Sequence, residues 1–103
     1  MKQVLFLSLA VSALLTAVPA SADQALATSK NCMACHAVDR KLVGPSYKDV
    51  AKKYAADKSA ADKLAQKIQQ GGSGVWGAVP MPANPQVNEA DAKKLAAWVL
   101  SQK

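Results

Sequence analysis

Apolar residues recur along this chain with the period of a helix. Tyr47, Val50, Ala51 and Tyr54 fall at i, i+3, i+4 and i+7, while Lys48, Asp49, Lys52 and Lys53 take the other side, the stripe of an amphipathic helix. A second stripe, Ala61, Leu64, Ala65 and Ile68, predicts a helix opened by Ser59 as N-cap, with Asp62 three residues on in a capping-box arrangement, and closed at Gly71-Gly72. A third, Ala92, Leu95, Ala96 and Val99 with Trp98 on its flank, follows Asn88 as N-cap and carries Asp91 in its first turn. It is expected to pack across a short N-terminal helix over 23–31, where Leu26 is the main apolar anchor and Asp23 favours the positive end. No segment alternates apolar and polar residues as a strand would, so the elements predicted are all helices.

Two stretches interrupt the stripes. Residues 37–43 form a turn-rich link, and Gly44-Pro45 breaks regular structure after it. Residues 71–87 are rich in glycine and proline, yet Trp76, Val79 and Met81 argue for an ordered, functional loop. Pro80 and Pro82 confine the backbone of Met81 to an extended form, which suits a side chain that must stay in one place.

The start of the chain reads differently. Lys2, an apolar run from Val4 to Val18 broken only by Ser8, Ser12 and Thr16, and the small residues Ala20-Ser21-Ala22 form a secretory signal peptide over residues 1–22, cleaved before Asp23. The run is shorter than the roughly 20 residues of a spanning helix, so no stable membrane insertion is expected. Residues 23–103 then form one domain, near the ~70–80-residue size at which a hydrophobic core alone gives little stability. Such a domain needs a staple.

Candidate chemistry concentrates in Cys32-Met33-Ala34-Cys35-His36, which holds both cysteines and the single histidine. A Cys-x-x-Cys-His run is the attachment signature of c-type haem: the thiols add across the porphyrin vinyl groups and the histidine binds iron. One helical turn puts Cys32 and Cys35 on the same side of the backbone, with His36 projecting toward the metal. Three readings compete. A thioredoxin-like pair wants a βαβ pattern that is missing here. A structural zinc site wants four ligands, and two cysteines and one histidine fall short. A disulfide across so short a loop would constrain very little chain. Haem would also be the staple, a broad apolar surface for small side chains to pack on, and export fits it, attachment outside the bacterial cytoplasm being the expectation for proteins that resemble c-type cytochromes in this motif. The Pro45 carbonyl is a fitting acceptor for the Nδ1 hydrogen of His36, a bond that would orient the ring.

With one histidine in the chain, no second one is available for the other face of the iron. Met33 is tethered inside the motif, which leaves Met81 as sixth ligand by elimination, a lysine or an open position being the alternatives. Most methionines fill irregular core space, but a gap-filler gains little from the rigid Pro80-Met81-Pro82 setting. His/Met coordination raises the reduction potential relative to two nitrogen donors and leaves no position for oxygen or peroxide. That argues for a one-electron carrier and against an enzyme. The competing class is a haem enzyme or gas sensor with an open or displaceable sixth site.

Thirteen basic residues against seven acidic ones give a net charge of +6. Lys30, Lys41, Lys48, Lys52 and Lys53 point to an acidic protein partner, steered in at low salt. Nucleic acid is not indicated: there is no binding motif and little aromatic interleaving.

Taken together, Cys32, Cys35, His36, Gly44, Pro45, Trp76, Pro80, Met81, Pro82 and Asn84 resemble the small bacterial class I cytochromes c of the c-551/c-552 group, over 23–103. The resemblance implies an all-α fold of four to five short helices around one covalently bound haem, with the N- and C-terminal helices crossing. It implies thioethers at Cys32 and Cys35, low-spin axial bonds from His36 and Met81, and the Pro45 carbonyl on the His36 hydrogen. Trp76 would donate its indole hydrogen to a haem propionate, and Asn84 would help orient Met81. Lys67 stands where relatives often carry arginine near a propionate, with a point charge in place of a planar fork. The family works in the periplasm as a soluble carrier between respiratory complexes and a terminal reductase, peroxidase or oxidase, and a monomer is expected.

Overall fold

The computed structural model describes residues 20–103, with side chains from residue 23 onward; the leader expected over 1–22 lies outside them apart from 20–22, which open α1. Four helices follow one another: α1 (Ala20–Ser29), α2 (Tyr47–Lys53), α3 (Ala60–Gln70) and α4 (Glu89–Leu100), with a single 3-10 turn at Cys32–Ala34 between α1 and α2. The one β feature among the described residues is an isolated antiparallel bridge between Gly72 and Met81. No helix among them is long and apolar enough to cross a membrane.

α4 is the centre of the packing. α1, α2 and α3 each lie against it and, among the described residues, not against one another. The predicted stripe is the buried one: Ala92 and Ala96 are fully inaccessible and Leu95 is 2% exposed. Alanines at the crossing points let neighbouring helices come close. For the same reason Ala27, and not Leu26, is the buried residue of α1, with Leu26 only partly covered at the edge of the core. Trp98 lies deeper than a flank position, 4% exposed, its ring edge-on to Tyr47 at 5.0 Å between centroids. Burial of an aromatic of this size is a large share of the core's hydrophobic gain.

Each helix start has its own cause. Asn88 caps α4 as expected, its side chain accepting the Asp91 amide at 2.8 Å. Ser46, buried, does the same for α2 through the Asp49 amide at 3.1 Å. At α3 the expected capping box does not form. Ser59 makes no side-chain cap; its hydroxyl donates instead to Asp57 at 2.7 Å, and its amide donates to the same oxygen at 2.8 Å. The Asp57 carboxylate therefore organises the turn, with Lys63 on its other oxygen at 2.8 Å. The buried face of α3 is also rotated from the expected one: Ala60 and Ala65 are covered, Leu64 and Ile68 are partly buried, and Ala61 is exposed.

This turn has a pH signature. The hydrogen bond from Lys63, and then those from Ser59, hold the Asp57 carboxyl down at about 2. Its folded value lies below the ordinary ~3.9, so the contribution is present above that value and fades as pH falls from ~4 through about 2. Asp57→Asn is expected to flatten the acid limb of a urea-unfolding profile between pH ~4 and ~2. An unchanged slope there would remove Asp57 from the account of acid stability.

Candidate functional site

The Cys32–His36 motif sits on the 3-10 turn that follows α1. Asn31 redirects the chain with a left-handed backbone (φ 63), a conformation asparagine tolerates better than most residues. The Cys35 and His36 amides then both donate to the Cys32 carbonyl, at 3.2 and 3.1 Å. The cysteines thus share one turn as unpaired thiols, both half-buried. Burial pushes the Cys32 thiol above its ordinary value, opposite to what a redox-active thiolate requires. Among the described residues no group of three or more His, Cys, Asp or Glu is placed to hold a metal by itself.

His36 is fixed from several directions. Its Nδ1 lies 2.8 Å from the Pro45 carbonyl oxygen. A carbonyl only accepts, so Nδ1 carries the hydrogen and the Nε2 lone pair is left for a metal. Gly44 holds its backbone against the ring: a Cβ there would stand 2.5 Å from Cε1 and 2.8 Å from Nδ1. Its amide also donates to the Cys35 carbonyl at 2.7 Å, closing the loop on the motif. Tyr47 stacks on the imidazole, with 5.3 Å between centroids and 23° between planes. Gly44→Ala is therefore expected to force the ring off the Pro45 carbonyl and to cost about 1–3 kcal/mol, as overpacking does. Thermal unfolding, together with the NMR shift of the His36 ring, checks this; wild-type values for both would mean the ring has room.

Met81 is held by its backbone. Gly71 ends α3 with φ 69, and a side chain there would collide with the Met81 carbonyl. Gly72 and Met81 exchange amide-to-carbonyl bonds of 3.0 and 2.8 Å. Asn84 secures the far side: its amide donates to the Gln69 carbonyl at 3.2 Å, and its Nδ2 to the carbonyls of Ile68 at 2.8 Å and Pro82 at 3.3 Å. The Met81 loop is thereby pinned to the end of α3. The two methionines of the domain divide their roles: Met33 packs against the apolar core, and Met81 is not part of that cluster.

The expected site residues fall into two groups. Cys32, Cys35, His36 and Pro45 come together around the 3-10 turn. Lys67, Met81 and Asn84 meet at the end of α3, where the Lys67 ammonium lies 2.6 Å from the position a Gly72 Cβ would take. Trp76 stands at the tip of the loop between, 45% exposed, with the Lys53 ammonium of α2 5.6 Å from its ring centroid. The bonds that Asn84 makes run to backbone carbonyls and to Gln86. Sequence reasoning missed Ser46, whose place just ahead of an apolar stripe was an available N-cap signal. It also missed the Tyr47 stack and the tie between Lys30 and Gln86, contacts over distances that no local pattern encodes.

Large apolar side chains stay uncovered on both loops. Leu42 and Val43 follow the motif, and Val75, Trp76 and Val79 precede Met81; their exposures run from 40% to 67%. Uncovered apolar residues gathered on functional loops mark a surface that something else covers. Two thiols on one turn, an imidazole with Nε2 available, a methionine outside the core and apolar loops awaiting a partner fit a covalently attached haem.

Comparison with known proteins agrees. The Cytochrome c family model matches residues 21–103. The chain is 56% identical over 94 residues to cytochrome c-552 of Nitrosomonas europaea, covering 91% of each chain. It is 50% identical over 105 residues to cytochrome c-551 of Pseudomonas aeruginosa, covering 100% of both. The fold superposes on the crystal structure of the Nitrosomonas europaea cytochrome c552 with a TM-score of 0.76 at 55% identity, over 78% of this chain and 99% of that one. The cofactor that accompanies this match is haem c, joined through Cys32 and Cys35. Motif, helical fold and relatives of matching length coincide, and the chain belongs to the cytochrome c family.

Proposed function

We propose that the protein is a soluble one-electron carrier of the bacterial periplasm, with His36 and Met81 as the axial ligands of its haem iron. The observation that carries this reading is the fixed His36 ring, Nδ1 on the Pro45 carbonyl at 2.8 Å, combined with Met81, the candidate second ligand, held outside the core. When bound, the haem supplies an iron centre that gains and loses one electron. The chain supplies the rest. Pro45 and Gly44 keep the imidazole from turning, which spares reorganisation when the charge on the site changes. The bridge between Gly72 and Met81 fixes the backbone that carries the thioether, and a methionine held there would leave small ligands no free position. Trp76 and Lys67 are the candidate partners for the propionates. The excess of lysine favours acidic redox proteins as donor and acceptor.

Absorption spectra of both redox states with a carbon monoxide challenge test the proposal. Low-spin spectra, a methionine-to-iron band in the far red of the oxidised protein, and reduced protein that resists carbon monoxide at neutral pH are expected. Rapid carbon monoxide binding would turn the assignment toward a haem enzyme or gas sensor.

A further inference from the structure

We propose that Gln86 is a positioning residue for Met81, an inference that rests on Met81 being an iron ligand. The two segments that carry the candidate ligands are far apart in the chain. Among the described residues, the hydrogen bonds joining 30–45 to 71–87 are those between Lys30 and Gln86, 56 positions apart. The Lys30 ammonium donates to the Gln86 carbonyl at 3.2 Å, and Gln86 Nε2 returns a longer bond to the Lys30 carbonyl at 3.4 Å. Lys30 lies just ahead of Cys32, and Gln86 just beyond the Met81 turn. The pair therefore ties the segment that carries the cysteines to the segment that must present the thioether.

Gln86 also decides how Asn84 is turned. Its second Nε2 hydrogen goes to Asn84 Oδ1 at 3.2 Å, so Asn84 faces the Ile68 and Pro82 carbonyls with its Nδ2. A flipped Asn84 amide would set its oxygen against two carbonyl oxygens, and all of those contacts would be lost. Pro82 is the residue next to Met81, so the order runs from Lys30 through Gln86 and Asn84 to the loop itself. These bonds lie at the surface, and each is modest alone. Their loss should appear as easier displacement of the loop, not as collapse of the fold.

Imidazole titration of the oxidised holoprotein, followed through the far-red band, reads that displacement. A typical net hydrogen bond shifts an equilibrium about five-fold, so Gln86→Ala is expected to raise the apparent imidazole affinity about two- to ten-fold. Asp57→Ala, which loosens the turn before α3, should lower thermal stability and leave imidazole affinity at the wild-type value. Wild-type affinity in Gln86→Ala, or an equal rise in Asp57→Ala, overturns the positioning role. A wild-type protein without the far-red band overturns the Met81 assignment, and this inference with it.

Discussion

In Met81→Ala the far-red absorption of the oxidised protein is expected to vanish, the reduced protein to bind carbon monoxide rapidly, and the reduction potential to fall by on the order of 0.2 V. The magnitude is a fraction of the ~0.8 V that axial ligation spans in haem proteins. The sign follows from replacing a soft thioether, which favours the reduced iron, with water or nothing. The fold should survive, because Met81 is outside the core cluster and its backbone bonds to Gly72 do not depend on its side chain. Met33→Ala is the complementary variant. Met33 packs against the core, so that change should lower stability and leave the band in place. Identical spectra for Met81→Ala and the wild type would mean that another group closes the iron.

Leu95→Ala carries the largest expected effect on folding, a loss of about 2–5 kcal/mol. Leu95 is 2% exposed at the middle of α4, between the inaccessible Ala92 and Ala96, where neighbours on rigid helices cannot close a cavity. A domain of this size loses roughly 4–8 °C in Tm per kcal/mol. Thermal unfolding followed by far-UV circular dichroism should therefore show a fall of at least about 8 °C. A Leu95→Ala loss below about 1 kcal/mol would show that the centre of α4 repacks freely.

The residues whose roles follow from neighbours in sequence were readable in advance. The stripe of α4, its Asn88 cap and the Cys32–His36 turn each depend on spacings of a few positions, and each is where its pattern places it. Ser59 and Asp62 show how such a pattern fails. Asp57 accepts from both the Ser59 amide and hydroxyl, and the turn it organises holds Ser59 at φ −96, ψ 6 instead of the extended backbone of the Ser46 and Asn88 caps. Ala60 and Ala61 differ by one position, which a stripe of small residues does not resolve. At the site, Pro45 was legible because a proline keeps its carbonyl free beside the motif. The Gly44 contact and the Tyr47 stack depend on how the 37–46 link folds back on His36, and the pairing of Lys30 with Gln86 requires the whole chain to be in place.

The star-shaped packing of the helices also constrains how the molecule is made. α4 is the last helix of the chain, and α1, α2 and α3 lie against it and not against one another among the described residues. Isolated helices of this length are marginal in water. A chain truncated before residue 89 therefore lacks the helix against which α1, α2 and α3 bury their apolar faces. Closure around the cofactor thus waits for α4, the last element of the chain.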